Sequence, residues 1–245
     1  MARYWIGTSG YSYKEWKGPF YPDTLPESGF LRYYAARFAS VEINYTFYRM
    51  PNVRMLQGWA KETADRFTFT LKAPRRITHD LRLRDAADVL SDFCETAGAL
   101  KQKLGSILFQ LPPFLKRDTP RLEDFLHQLP PGLRAAFEFR NQSWFVDEVY
   151  ECLRRFGVAI CIVESADREV PWESTADFGY FRLRKPEYTD EDLAVCAQRI
   201  ENSAQKWQDV FIYFKHEAEG RGPILATKLR ALLEGEPQVA AAEVG

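Results

Sequence analysis

Eight short apolar stretches alternate with segments of helical periodicity along this chain, and that alternation limits the fold more than any other feature. The strand candidates are 4–8, 41–45, 67–72, 106–111, 135–140, 158–164, 179–184 and 210–215. Between and after them the apolar residues recur at helical spacing over 29–38, 53–64, 85–104, 121–129, 146–156, 191–206 and 223–233. Strands that alternate with helices imply a parallel sheet, and eight is the number that closes. The expected fold is α/β: a single-domain, TIM-barrel-like (β/α)8 barrel. One connection is too short for a helix. The stretch 165–177 is polar and broken by Pro171, so the helix between strands 6 and 7 is expected to be reduced or missing.

The strands carry charge in a regular way. Side chains alternate across a strand, so Phe137 and Phe139 share one face and Glu138 and Arg140 the other. Val41 and Ile43 alternate with Glu42 and Asn44, and Phe67, Phe69 and Leu71 with Thr68, Thr70 and Lys72. Gln110, Arg182 and Arg184 take comparable places. Each polar residue lies late in its strand. An apolar outer face with charges near the C-terminal end of the inner face is what a barrel presents at its mouth. An unpaired buried charge costs several kcal/mol, so these residues must find partners or meet a ligand.

Composition agrees with one domain. At 245 residues and 46% apolar the chain can bury a sizeable core. The barrel is expected over 1–236, with 237–245 as a disordered tail lacking core pattern. With 33 basic and 34 acidic residues the formal charge is -1, so any anion affinity must be local. Cys94, Cys152, Cys161 and Cys196 show no CxxC spacing and read as reduced, packed thiols. Neither a secretory signal nor a run of membrane-spanning length is present, so a cytoplasmic protein without a membrane partner is expected.

Between the first strand and the first helix lies a loop of unusual length holding Tyr11, Tyr13, Trp16, Phe20 and Tyr21. It either covers a ligand at the mouth or packs on its own rings. The loop at 46–51, with Tyr48, is another mouth candidate.

Five ordered motifs, IGTSGYSYKEWKGPFYP, VEINYTFYRMP, FTFTLKAPRRITH, ILFQLPP and EFRNQSW, closely resemble the DUF72 or YecE-like family over about residues 4 to 233. The resemblance implies a TIM-barrel-like fold and no established activity. The matching residues are Gly7, Ser9, Gly10, Tyr13 and Trp16, then Glu42, Asn44, Phe47 and Tyr48. They continue with Lys72, His79, Gln110, Pro112, Glu138, Arg140, Ser143 and Trp144. Two strand ends depart from the family pattern. The seventh, usually Arg-Leu-His-Gly, reads Arg182-Leu183-Arg184-Lys185, and the eighth, often Asn-Asn, reads Lys215-His216-Glu217. Both departures add positive charge at the mouth.

Glu42 and Glu138 against Lys72, Arg140, Arg182, Arg184 and Lys215 leave a local excess of three positive charges, which an anionic ligand would balance. A structural network pairing Glu42 with Arg140, and Glu138 with Arg182 or Lys72, is the alternative. As an enzyme, the chain would use Glu138 as general acid or base with Glu42 as partner, in hydrolase or isomerase/lyase chemistry. A glycosidase would need a set spacing between the two carboxyls. Lys72 would serve as an electrostatic group, a Schiff-base nucleophile or an ion-pair partner. Arg140, Arg182 and Arg184 form the expected anion clamp. Asn44, Tyr48, Gln110, Ser9, Tyr13, Trp16, His79, Trp144 and Lys215 complete the substrate-binding candidates. His79, His127 and His216 are too few and too scattered for a hydrolytic metal centre, and no dinucleotide or phosphate-loop motif is present, so neither metal nor cofactor is expected. The competing reading is a nucleic-acid-binding barrel, with Arg75, Arg76, Arg82 and Arg84 tracking phosphates. A third is a non-catalytic binding protein.

Overall fold

Parallel neighbours cannot be joined by a tight turn, so each crossover returns the chain to the same end of the sheet. The computed structural model, which describes residues 2–166 and 170–235, builds eight such strands. They are β1 (Arg3–Thr8), β2 (Ser40–Ile43), β3 (Thr68–Lys72), β4 (Leu104–Gln110), β5 (Ala135–Glu138), β6 (Ala159–Glu164), β7 (Phe178–Leu183) and β8 (Asp209–Phe214). Every ladder is parallel, and the order β1-β8-β7-β6-β5-β4-β3-β2 is the sequence order taken round a ring. The helices are α1 (Phe30–Ala35), α2 (Tyr45–Tyr48), α3 (Val53–Glu62), α4 (Ala87–Ala97), α5 (Thr119–Leu126), α6 (Asp147–Phe156), α7 (Asp190–Ala204) and α8 (Arg221–Glu234).

The ring is nearly closed at β1 and β2, where the pairing is a single bridge between Ser9 and Glu42. Deeper in the seam Tyr34 of α1 inserts its hydroxyl. It accepts from Thr8 N–H at 2.8 Å and donates to Ser40 O at 3.1 Å, so one phenol satisfies both strands. The approach leaves no room for a side chain at Gly7, whose Cβ would stand 2.0 Å from Ser40 O.

The outward residues Val41, Ile43, Phe69, Leu71, Phe109, Phe137 and Phe139 are buried in the outer core. Leu108, Ala136, Cys161, Tyr180, Phe211 and Tyr213 form a separate inner cluster. Inside the barrel Tyr213 shares its hydroxyl with Ser40 Oγ at 2.7 Å and Thr70 Oγ1 at 2.8 Å, whereas Ser106 Oγ has no hydrogen-bond partner among the described residues. At the N-terminal end Asp209 accepts from Arg3, Trp5 and Arg134, each at 2.8 Å.

Helix ends follow local chemistry. Thr189 and Asp192 form a reciprocal capping box on α7, and Asn52 and Asp118 cap α3 and α5. Gly157 ends α6 in the left-handed region at φ 61°. All eight expected strands are present, with ends shifted by up to two residues. Residue 45, expected in a strand, opens α2 instead. Expected helix 85–104 divides into α4 and a 3-10 segment at Gly98–Lys103.

Between β6 and β7 the described residues contain no helix. An extended strap covers the strands, with Thr175 Oγ1 accepting from Ile160 N–H at 2.8 Å and donating to Val158 O at 2.7 Å. The long loop after β1 packs Tyr13, Phe20 and Tyr21 round its buried Trp16, and Tyr21 stacks on Phe30 of α1 with centroids 4.0 Å apart. The four cysteines are free, three of them buried. The expected tail at 237–245 and the barrel end at 236 lie outside the described residues. Among the described residues no helix is long and apolar enough to cross a membrane.

Candidate functional site

A parallel barrel sends all its strand C-termini to one end, so the late polar residues of β2, β3, β4, β5 and β7 converge there. At the bottom of this mouth Arg182 bridges two carboxylates. Its Nη1 lies 2.6 Å from Glu138 Oε2 and its Nη2 2.9 Å from Glu42 Oε1. Glu42 and Glu138 are 0% exposed and Arg182 1%. Tyr180 donates to Glu42 Oε2 at 2.6 Å, Ser9 Oγ donates to Glu42 Oε1, and Asn44 Nδ2 donates to Ser9 Oγ at 2.8 Å. Burial pushes the Glu138 carboxyl up, but the Arg182 guanidinium, the Gln110 hydrogen bond and Arg184 outweigh it and hold it at about 2.

These contacts answer the sequence expectations directly. Glu138 pairs with Arg182 as the structural-network reading has it, whereas Glu42 takes Arg182 rather than Arg140. With its carboxyl held at about 2, Glu138 is ionised throughout the neutral range, which of the two expected roles, general acid or base, suits the base. The guanidinium stands between the two carboxylates and ties them together. Arg182 itself is no free clamp, because both its terminal nitrogens are taken.

Lys72 is different. It is 7% exposed, and its Nζ donates to Gln110 Oε1 at 2.9 Å above the ring of Phe47, 4.0 Å from the centroid. Gln110 is oriented by its own Nε2, which donates to Glu138 Oε2 at 2.8 Å. Among the described residues Lys72 has no carboxylate within 4.0 Å, so the expected ion pair is not made. Burial, then Arg182, pull the amine down to about 8 against the smaller opposing pull of Glu138 and Glu42. Lys103 shows the contrast. Also buried, it donates to Ala60 O at 2.7 Å and Thr63 O at 2.8 Å, closing the end of α3.

Arg184, Lys215 and Arg140 stand half-buried around the mouth. Arg184 Nη1 lies 3.8 Å from Glu138 Oε1, a buried oxygen with no hydrogen-bond partner among the described residues. Burial, Arg182 and Arg184 lower the Lys215 amine, and burial and Lys72 lower the His79 imidazole. Tyr13 donates to Ser9 O at 2.8 Å. Other candidates lie apart from this group. Trp144 is buried outside the barrel, stacked on Phe139 with its indole N–H on Leu115 O at 2.8 Å, and Trp16 is buried with its N–H on Glu217 O at 2.8 Å. Both are walls of the scaffold. Tyr48 is 80% exposed on the rim. In the arginine run after β3, Arg75 pairs with Asp80 and Arg84 with Asp118. A cavity of about 510 Å3 opens beside the mouth between Tyr11, Tyr13, Asn44, Tyr45, Met55 and Trp59.

Tyr180 and Phe47 belong to the site although neither was among the catalytic or substrate-binding candidates, Phe47 being marked only as a match to the family motif. Tyr180 was legible, because it stands two residues before Arg182 and therefore on the same strand face. The contact of Phe47 with Lys72 depends on the turn into α2, which carries no strand periodicity.

A family model described as "Protein of unknown function DUF72" matches residues 5–244. The UPF0759 protein YecE of Escherichia coli is 34% identical over 116 residues, 47% of this chain and 43% of YecE. The UPF0759 protein YunF of Bacillus subtilis is 30% identical over 156 residues, 60% of this chain and 54% of YunF. The aligned stretches thus span about half the length of these relatives. A crystal structure of a DUF72 family protein from Thermotoga maritima superposes with a TM-score of 0.86 at 29% identity, covering 95% of this chain and 99% of that one. One from Enterococcus faecalis, at 18% identity, shares the fold with a TM-score of 0.78, covering 96% of this chain and 98% of that one. None of these names carries an activity.

Proposed function

The chain belongs to the DUF72 family, whose name assigns no activity, and we propose from the site's own chemistry that its barrel mouth binds a small anionic molecule. The observation that carries this reading is the placement of Lys72. Its nearest carboxylates are already committed to Arg182, and it is left nearly buried with a single amide oxygen for company. Arg184, Lys215 and Arg140 add three further cations round the same opening, and repulsion among the cations helps to pull both lysines below their ordinary range. A bound carboxylate or phosphate would relieve that repulsion and accept hydrogen bonds from the free donors. Glu42, Glu138 and Ser9 act here as positioning residues that hold Arg182 and Gln110.

Thermal unfolding with phosphate, sulfate, pyruvate and sugar phosphates, each against a neutral analogue, tests the reading. An anion at a hundred times its dissociation constant stabilises by about 2.7 kcal/mol, or roughly 5 to 10 °C for a domain of this size. The shift should disappear in Arg184→Ala. Equal shifts from neutral analogues would refute the reading. So would a response confined to oligonucleotides and abolished by salt, which would favour a nucleic-acid partner.

A further inference from the structure

We infer that Lys72 is an amine nucleophile that forms an imine with the carbonyl carbon of a small anionic oxo acid seated at the mouth. The inference rests on the anion-binding reading and gives that ligand a chemical class. Three features of the geometry carry it. The amine stands at the rigid C-terminal end of β3, so its position is set by the barrel rather than by a loop. One of its hydrogens is spoken for by Gln110 Oε1, while among the described residues no carboxylate lies within 4.0 Å to hold it as an ammonium, and Phe47 walls one side. Arg182, Glu138 and Gln110 form a relay of short contacts, 2.6 Å and then 2.8 Å, that fixes which amide atom faces Lys72. A carboxylate donates no hydrogen here, so Gln110 must turn its NH2 to Glu138 and its oxygen to the lysine. The depressed amine pKa is consistent with this arrangement.

The chemistry balances without a further reagent. The Nζ lone pair attacks the carbonyl carbon, a proton passes from nitrogen to the former carbonyl oxygen, and the carbinolamine loses water to leave a C=N bond. Amine and oxo acid give imine and water, with no oxidation or reduction. The oxo acid's own carboxylate would lie among Arg184, Lys215 and Arg140, which explains why cations and a weakly partnered amine share one opening. Lys103 serves no such purpose, because backbone carbonyls already occupy its hydrogens.

The test is reductive trapping on the full chain. Protein is incubated near pH 7.5 with pyruvate or glyoxylate and sodium cyanoborohydride, which converts an imine to a stable secondary amine, and labelled peptides are mapped by mass. Acetaldehyde serves as the uncharged carbonyl, and thermal shift with pyruvate alone runs in parallel. Lys72 should label about tenfold faster than exposed lysines such as Lys101, because more of it is the free amine. Labelling of Lys72 by pyruvate should fall in Arg184→Ala, which retains the amine, while labelling by acetaldehyde persists. A thermal shift without Lys72 labelling, or labelling that favours Lys215, overturns the imine and leaves the anion site standing. Absence of both shift and label overturns the two together.

Discussion

Arg182 Nη1 lies 2.6 Å from Glu138 Oε2, and neither side chain is more than 1% exposed. Such a pair is worth little over an apolar replacement, but breaking one side strands a charge. Arg182→Met leaves Glu42 and Glu138 buried without their cation and should cost about 3 to 5 kcal/mol, read as a fall in Tm of roughly 10 °C. Adding Glu42→Gln and Glu138→Gln should recover most of that loss in calorimetry. Failure of the triple variant to recover would mean that packing, not charge, makes the pair important.

Lys72 should work against stability at neutral pH. Its folded pKa of about 8 lies below the ordinary 10.5 of a lysine, so between those values the unfolded chain holds the extra proton and stability rises with pH. Below pH 8 the full cost is present, on the order of 3 kcal/mol. Lys72→Met should therefore raise Tm at pH 7, with the gain shrinking as pH rises towards 10.5. A gain that does not vary with pH would show that the charge is not its source.

Glu138 acts in the opposite sense. Its carboxyl is held at about 2 against an ordinary 4.5, so the stability it supplies is full above pH 4.5 and lost as pH falls through about 2. The contribution is on the order of 3 kcal/mol. Denaturant titrations from pH 6 to pH 2 should show a shallower acid loss in Glu138→Gln than in the parent chain. Parallel curves would contradict the ion pair.

Tyr34 holds the β1–β2 seam through one oxygen. Tyr34→Phe leaves Thr8 N–H and Ser40 O without their partner and should cost about 1 to 3 kcal/mol. Hydrogen exchange at the Thr8 amide should accelerate more than at amides of β5, far round the ring. Uniform acceleration would indicate global destabilisation instead.

Much of this protein was legible in one dimension. The two-residue period of strands and the longer period of helices showed eight alternating units, and Pro171 in a polar stretch marked the crossover in which the described residues contain no helix. The same period brought Glu42, Lys72, Gln110, Glu138 and Arg182 to one face and one end, since strand alternation needs no knowledge of neighbours. For Trp16 and Trp144, which are buried in the structure, a motif match does not say whether a ring faces the mouth or the scaffold behind it. That choice depends on what packs against the ring, here Tyr13 and Phe139.

What the sequence determined by itself was therefore the barrel, its mouth and the residues gathered there, because periodicity is a local property. Which charge meets which was decided by tertiary structure alone. Glu42 and Glu138 lie on strands far apart in order, and only closure of the ring brings both within reach of the one guanidinium on β7. With that guanidinium shared between them, Lys72 has no carboxylate within 4.0 Å among the described residues, and electrostatic energy at this range is set by distances of a few ångströms that no linear spacing encodes.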